Sequence, residues 1–228
     1  MTPTRIALIA LLAASPLLAD IAPSPLSDGR SVQAVDGQPT PVEMAAEEVS
    51  LTLGPKELKV EVVFTMRNPS DKDVSLQAGF PVGAYADTLK DFKVVRDGKS
   101  PDLAVVDRPT QARGREYHHY WTVWDATYPA GKTVTEVVRY SMPVGTNAGY
   151  ILHTGAGWKN AIGKARVTFR TEGLTMDYVY HAWPERGLKR TEGGLEGTFE
   201  NLEPAESDDI RIRYSDTTTW KDRIAKTR

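Results

Sequence analysis

The sequence contains no cysteine among its 228 residues. Disulfide bonds, thiol nucleophiles and cysteine metal sites are therefore excluded, as is a lipoprotein anchor attached through cysteine. Histidine is scarce as well, with four residues in all. His118 and His119 are neighbours in a predicted strand, so their side chains point to opposite faces and cannot bind one metal ion together. We therefore predict neither a metal site nor a cofactor.

An excess of charge of one sign is also missing. Lys and Arg number 28 against 30 Asp and Glu, which gives a formal net charge of -2. Proteins that bind nucleic acids usually carry a basic excess on one face, so this balance argues against a nucleic-acid partner. The hydrophobic content of 40% and the charged content of 25% are ordinary for a globular protein.

One long apolar run stands at the beginning of the chain, where Arg5 precedes IALIALLAASPLLA. The small residues that end this run at Ala19 predict that residues 1–19 are a cleavable signal peptide. We therefore expect export to the bacterial periplasm or the extracellular space. No later stretch is long enough to span a membrane, so no membrane span is predicted. Residues 20–41, rich in Pro, Ser, Gly and Asp, are predicted to be a flexible leader.

Strand patterns dominate the chain from residue 42 onward. Turn signals such as Gly54-Pro55 and Asp97-Gly98 separate short alternating segments. The clearest alternation places five apolar side chains on one face of a strand, namely Leu58, Val60, Val62, Phe64 and Met66. These patterns predict an all-β fold of one or two immunoglobulin-like β-sandwich units, with few or no helices once the signal peptide is removed.

The chain divides most naturally near residues 142–149, a glycine- and proline-containing stretch. We predict a β-sandwich domain at 42–143 and a second, smaller β-rich unit at 148–215. The second unit either folds alone or adds strands to the sheets of the first. Residues 216–228 are predicted to be a C-terminal tail.

The stretch YILHTGAGWKNAIGKAR, residues 150–166, has the glycines of a phosphate-binding loop but not their spacing. Five residues separate Gly157 from Gly163, and Ala165 stands where a Walker loop needs a hydroxyl. An alternating strand follows, whereas a phosphate loop leads into a helix whose N-terminal amides hold the anion. We therefore reject nucleotide binding and interpret the stretch as a glycine turn that displays Trp158.

No catalytic set of residues is recognisable in the sequence. The G-x-S-x-G motif is missing, and the adjacent acids Glu47-Glu48 and Asp208-Asp209 point to opposite faces if they lie in strands. A carboxylate pair assembled across two sheets stays open. We predict a protein that is not an enzyme, with a hydrolase or carbohydrate-active enzyme acting on envelope polymers as the alternative.

Aromatic residues are the most suggestive feature for binding. In YHHYWTVW, Tyr120 and Trp124 share one strand face, where they fit either core packing or a stacking platform for a sugar ring. Trp158 is expected to be exposed at a loop tip, where function is common. The candidate ligand or partner contacts are Trp158, His153, Lys159, Tyr120 and Trp124. They indicate an exported, non-catalytic binding or interaction module whose partner is a protein or glycan of the cell envelope.

Three segments carry a resemblance to a known family, namely VEMAAEEVSLTLGPKELKVEVVFTMRNPSDKDVSLQAGFPV, YILHTGAGWKNAIGKARVTF and FENLEPAESDDIRIRY. Together they resemble an uncharacterised family of exported bacterial proteins known as domain of unknown function 4424. The resemblance covers most of residues 42–215. It implies an exported, β-rich architecture, and it assigns neither a reaction nor a functional residue.

Overall fold

The structure, a computed structural model, describes only part of the chain. The described residues are 22–23, 40–83, 89–107, 109–112, 115–144, 147–152, 155, 157–173, 176, 179–184 and 187–214. The predicted signal peptide, most of the predicted leader and the predicted tail therefore lie outside the described residues.

The described residues are almost entirely β-structure, with a 3-10 turn at Glu206–Asp208. The first eight strands are β1 (Ala22–Pro23), β2 (Glu43–Leu53), β3 (Glu57–Arg67), β4 (Val74–Gly83), β5 (Lys90–Arg96), β6 (Ala104–Asp107), β7 (Thr110–Ala112) and β8 (Arg115–Tyr117). The other eight are β9 (Tyr120–Tyr128), β10 (Thr133–Pro143), β11 (Asn147–Tyr150), β12 (Ile162–Thr171), β13 (Val179–Trp183), β14 (Leu188–Thr191), β15 (Gly194–Leu202) and β16 (Ile210–Tyr214). No helix in this part of the chain is long and apolar enough to cross a membrane.

Seven strands form one large sheet in the order β14-β15-β12-β2-β3-β10-β5. Its neighbouring strands are antiparallel except for β2 and β12, which pair in parallel over residues 46–53 and 164–171. The predicted inward face of β3 is confirmed, because all five of its apolar residues are buried: Leu58, Val60, Val62, Phe64 and Met66. Alternation along β3 therefore decides which face of the large sheet contacts the core.

The inner face of the large sheet packs on two smaller sheets, β1-β4-β9-β6 and β11-β16-β13. The ring centroids of Phe80 in β4 and Tyr140 in β10 lie 5.4 Å apart. The hydroxyl of Tyr150 in β11 donates to a carboxylate oxygen of Glu47 in β2, at 2.6 Å. The protein is thus an all-β, sandwich-like fold, as the sequence predicts. Strands β7 and β8 form a separate two-stranded ribbon.

Strands from both predicted units lie in the large sheet. β2, β3, β5 and β10 come from residues 42–143, whereas β12, β14 and β15 come from residues 148–215. The parallel pairing of β2 with β12 joins the two groups. The later part of the chain therefore adds strands to a sheet that the earlier part begins. The division into two domains stays a prediction.

Gly163, one of the glycines in the phosphate-loop-like stretch, has a structural role at this junction. The pairing of β2 with β3 shifts register between Met44 and Ala46, so β2 bulges at Ala45. A Cβ atom on residue 163 would lie 2.5 Å from the carbonyl oxygen of Ala45. Only glycine allows β12 to approach the bulge so closely.

A carboxylate, Glu136 in β10, is fully buried on the inner face of the large sheet. It accepts hydrogen bonds from the Arg96 Nε atom at 3.0 Å, the Tyr128 hydroxyl at 2.7 Å and the Trp124 Nε1 atom at 3.2 Å. The Arg96 guanidinium also lies over the Tyr128 ring, 4.7 Å from its centroid. Burial raises the pKa of Tyr128 well above its ordinary value, so the hydroxyl stays protonated and donates.

A second buried carboxylate, Glu47, lies on the same face. Glu47 and Glu136 are both lateral neighbours of Phe64 in β3, one from each side. Two strand spacings put their Cα atoms about 10 Å apart. One carboxylate is bound by side chains of β9 and the other by Tyr150 of β11. Each of the smaller sheets is therefore tied to the large sheet by hydrogen bonds from aromatic residues.

We expect Glu136→Ala to lower the free energy of unfolding by about 3–5 kcal/mol, because the substitution leaves the Arg96 charge and two buried donors without their acceptor. Urea denaturation measures this loss. The matched control is Glu61→Ala, which removes a half-exposed carboxylate paired with Arg139 on the outer face of the same sheet. Its loss should not exceed about 1 kcal/mol. Similar losses for the two variants would contradict a stabilising role for the buried network.

Candidate functional site

The prediction that Trp158 is exposed at a loop tip is wrong. Its side chain is only 4% exposed, and its ring meets the Tyr128 ring edge-on at 5.8 Å. Two backbone hydrogen bonds fix the position of the turn. The Trp158 N–H donates to the Gly155 carbonyl, and the Lys159 N–H donates to the Val42 carbonyl. The glycine turn therefore folds back onto the start of β2, and the indole ring fills space between the two layers.

The other aromatic candidates are divided between core and surface. Trp124 is 1% exposed and donates to Glu136, which confirms core packing for this residue. Tyr120 is half-buried, and its ring stacks on the ring of His118 at 6.3 Å. Lys159 is exposed, and His153 lies outside the described residues. Contact of these residues with a ligand or partner stays a prediction.

Two of the predicted residues do lie in one cluster. Trp124 and Trp158 are linked through Glu136 and Tyr128, because Trp124 and Tyr128 both donate to Glu136 and Trp158 packs on Tyr128. This cluster is buried, so its hydrogen bonds and ring contacts hold the layers together. It does not present the rings to solvent.

Two adjacent cavities lie on the outer face of the large sheet. A cavity of about 520 Å³ crosses β2, β3, β10 and β5, and a second cavity of about 310 Å³ lies between β12 and β2. Ser50 and Thr52 line both cavities, so the two are adjacent. Five strands at a spacing of about 4.8 Å make this outer groove about 19 Å long, from β12 to β5. We call these two cavities together the outer groove.

Short polar side chains line the outer groove, and longer charged ones surround them. Parallel pairing places Thr168 of β12 beside Ser50 of β2, and Arg170 beside Thr52. The hydroxyl-bearing residues are Ser50, Thr52, Tyr140, Ser141 and Thr168, and the charged ones are Glu48, Glu57, Lys59, Glu61, Asp91, Lys93, Arg139, Arg166 and Arg170. Such a surface offers hydrogen-bond donors, acceptors and both signs of charge to a polar molecule.

The outer groove was not among the sites predicted from the sequence. A signal does exist in ARVTFRT, where Arg166, Thr168 and Arg170 alternate with residues that face the core. The strand could be recognised from this alternation, but its neighbour could not, because β2 and β12 are more than a hundred residues apart in the chain. Among the described residues, no group of three or more His, Asp or Glu side chains is placed to hold a metal ion.

The second surface feature is an ion pair beside Tyr120. His118 Nδ1 lies 2.6 Å from Asp107 Oδ2, and His118 Nε2 lies 3.6 Å from Glu116 Oε1. The hydrogen bond and the charge of Asp107 raise the pKa of His118 above 6.5, and Glu116 adds to the effect. This pair joins β6 to the turn that precedes β9.

We expect Trp158→Ala to lower the free energy of unfolding by about 3–5 kcal/mol, because it removes a large buried ring and leaves a cavity. Chemical denaturation provides the measurement. Lys159→Ala, an adjacent but exposed substitution, serves as the control and should change stability by less than about 0.5 kcal/mol. A Trp158→Ala variant as stable as the wild type would contradict the placement of this ring in the core.

The pKa of His118 should fall in Asp107→Asn, which can be followed by NMR titration of the imidazole protons. Because folding raises this pKa, the stabilisation from His118 is complete below its unfolded pKa of about 6.5 and is lost as the pH rises through the folded value. The stability difference between wild type and Asp107→Asn should therefore be larger at about pH 5 than at about pH 9. An unchanged histidine pKa in the variant would contradict the assignment.

The comparisons with known proteins support the fold. No protein-family model and no curated protein matches the sequence. The fold is similar to that of a provisionally assigned nutrient binding protein from Legionella pneumophila, with a TM-score of 0.66 and 16% identity over 90% of this chain and 73% of that chain.

Two other crystal structures are similar over smaller parts. They are a provisionally assigned protease from Parabacteroides distasonis (TM-score 0.37, 12% identity, 75% of this chain and 40% of that one) and an aminopeptidase N family protein from Idiomarina loihiensis (TM-score 0.37, 11% identity, 73% of this chain and 28% of that one). Neither similarity is close enough to carry an argument. What the comparisons show is that this chain shares its β-sandwich fold with the Legionella protein.

Proposed function

We propose that this chain is an exported, non-catalytic binding module that holds a small polar solute in the outer groove. The observation that carries the proposal is the pair of adjacent cavities on the outer face of the large sheet, with volumes of about 520 and 310 Å³. Both volumes fall within the usual range of small-molecule sites, about 300–1,000 Å³. The fold shared with a provisionally assigned nutrient binding protein is consistent with this role.

The lining of the outer groove favours a small polar solute over a stacked glycan. A platform for sugar rings needs exposed aromatic faces. Within the described part of the chain, the large hydrophobic residues that are exposed are Leu103, Val105 and Tyr117, and none of them lines the outer groove. The aromatic residue that does line it, Tyr140, is only 4% exposed, so its ring offers no open face. Hydroxyl and charged groups do line it, and these recognise solutes through hydrogen bonds and charge.

The non-catalytic part of the proposal rests on where the buried carboxylates point. A glycosidase needs two carboxyl groups that face each other across a cleft. Glu47 and Glu136 face the core instead, where they accept hydrogen bonds from Tyr150, Tyr128 and Trp124. Among the carboxylates that line the outer groove, Glu61 is paired with Arg139 and Glu57 lies 3.8 Å from Lys59. Export, the other part of the proposal, rests on the apolar run before Asp20.

Thermal unfolding in the presence of a solute panel tests the proposal. The panel comprises amino acids, dipeptides, neutral sugars, sugar acids, sugar phosphates and dicarboxylic acids. A bound solute at 100 times its Kd stabilises the folded state by about 2.7 kcal/mol. For a chain of this size, that stabilisation should raise Tm by roughly 5–10 °C. We expect at least one member to raise Tm in a concentration-dependent manner.

A pair of variants locates the site. Ser50→Trp places an indole ring in the wall shared by the two cavities, and it should abolish the rise in Tm. The control is Ser75→Trp, an equivalent substitution at an exposed serine of β4 in the opposite layer, which should leave the rise unchanged. A panel without any stabilising member, or a Ser50→Trp variant that responds like the wild type, would overturn the proposal.

A further inference from the structure

We propose that the smaller cavity of the outer groove is an anion subsite, which binds a carboxylate or phosphate group of the solute through Arg166 and Arg170. This inference rests on the proposed function and names the chemistry of the ligand. The two arginines lie on the outward face of β12 with Thr168 between them, and all three line the cavity of about 310 Å³. Both guanidinium groups can therefore reach one anion placed over Thr168.

The charges around this cavity are unbalanced. Two arginines face one carboxylate, Glu48. Arg166 has no ion pair within the part of the chain that the structure describes. Arg170 has a long one, at 3.6 Å, to Glu196, and both side chains are exposed to solvent. Exposed pairs of this kind are weak, so an anionic ligand can replace Glu196 at little cost.

The larger cavity is different, because three acidic residues (Glu57, Glu61 and Asp91) balance its three cations (Lys59, Lys93 and Arg139), and two of these cations have acidic partners. Lys59 lies 3.8 Å from Glu57 and 3.4 Å from Glu172, and Arg139 is hydrogen bonded to Glu61. The positive charges of the larger cavity are therefore neutralised by acidic residues, whereas the smaller cavity has an excess of positive charge. This difference predicts an orientation in which the anionic end of the solute lies over β12 and its remainder extends toward β5.

The short side chains beside the arginines suit the same ligand. Ser50, Thr52 and Thr168 are short, so they leave room above the sheet, and their hydroxyls can donate to an anionic oxygen. Arginine presents a planar fork of N–H donors that matches the two oxygens of a carboxylate or phosphate. The two guanidinium groups and the three hydroxyls together form a site rich in hydrogen-bond donors. A neutral solute would leave the positive charge of this site without a counter-charge.

NMR titration of the whole protein tests the inference, with succinate and inorganic phosphate as the probes and sodium chloride at matched ionic strength as the control. We expect saturable shifts of the backbone amides of Ser50 and Thr168 with at least one of the two probes, and none with chloride. The relative affinity of succinate and phosphate then decides whether a carboxylate or a phosphate is the preferred group.

Variants separate specific binding from a general effect of charge. Arg166→Gln and Arg170→Gln should each weaken binding of the probe roughly tenfold, since each removes charge-assisted hydrogen bonds. Arg166→Lys keeps the charge but loses the fork, so its affinity should lie between those of wild type and Arg166→Gln. Arg213→Gln removes the same charge from β16 in the opposite layer and should leave the affinity unchanged.

The outcomes distinguish this inference from the function on which it rests. Shifts that do not saturate with either probe, or an equal loss of affinity in Arg213→Gln, would overturn the anion subsite. If a neutral sugar or another uncharged solute still stabilises the protein in a manner that depends on Ser50, the binding function stands and only the anion subsite fails. If no solute stabilises the protein, both fail.

Discussion

The parallel pairing of β2 with β12 is the contact on which the rest of the structure depends. It joins strands that are more than a hundred residues apart in the chain into one seven-stranded sheet. Its register places Val49 beside Val167 and Leu51 beside Phe169 on the inner face. A slip of one residue would turn these apolar side chains toward solvent. The core therefore fixes the register, and the same register places the polar residues of the outer groove side by side.

The inner face of that sheet depends on two carboxylates that are costly to bury. Desolvation of a carboxylate is unfavourable unless donors surround it, and Glu136 has three donors of which one is charged. Glu47 has the hydroxyl of Tyr150 among its partners. Because one carboxylate binds β9 and the other binds β11, each smaller sheet has a defined position on the large one. Apolar contacts alone would specify these positions less precisely, since they are not directional.

The strands are well predicted from the sequence because the alternation of apolar and polar residues lies within each strand. Alternation along β3 identifies every inward residue from Leu58 to Met66, and the same alternation along β10 places Glu136 among the buried positions. Its three donors could not be predicted, since they come from β5 and β9. Trp158 illustrates the same limit. Its glycine-rich surroundings correctly indicate a turn, but only contacts with Val42 and Tyr128 decide that the ring faces inward.

The outer groove lies beyond sequence prediction for a related reason. Each of its strands is recognisable, but a groove that crosses five strands depends on their order in the sheet. That order, β12-β2-β3-β10-β5, brings together residues from positions 48 to 170. The spacing of residues along the sequence does not indicate this strand order.

The two faces of the large sheet can therefore change independently. In β2 and β12, residues that face the core alternate with residues that line the outer groove. Val167 and Phe169 carry the packing, whereas Arg166, Thr168 and Arg170 are at or near the surface and contribute little to it. Substitutions in the outer groove should thus cause no large loss of stability, since surface changes usually cost less than about 0.5 kcal/mol. Because only one face of the sheet packs against the core, polar residues on the other face can be substituted without disturbing that packing.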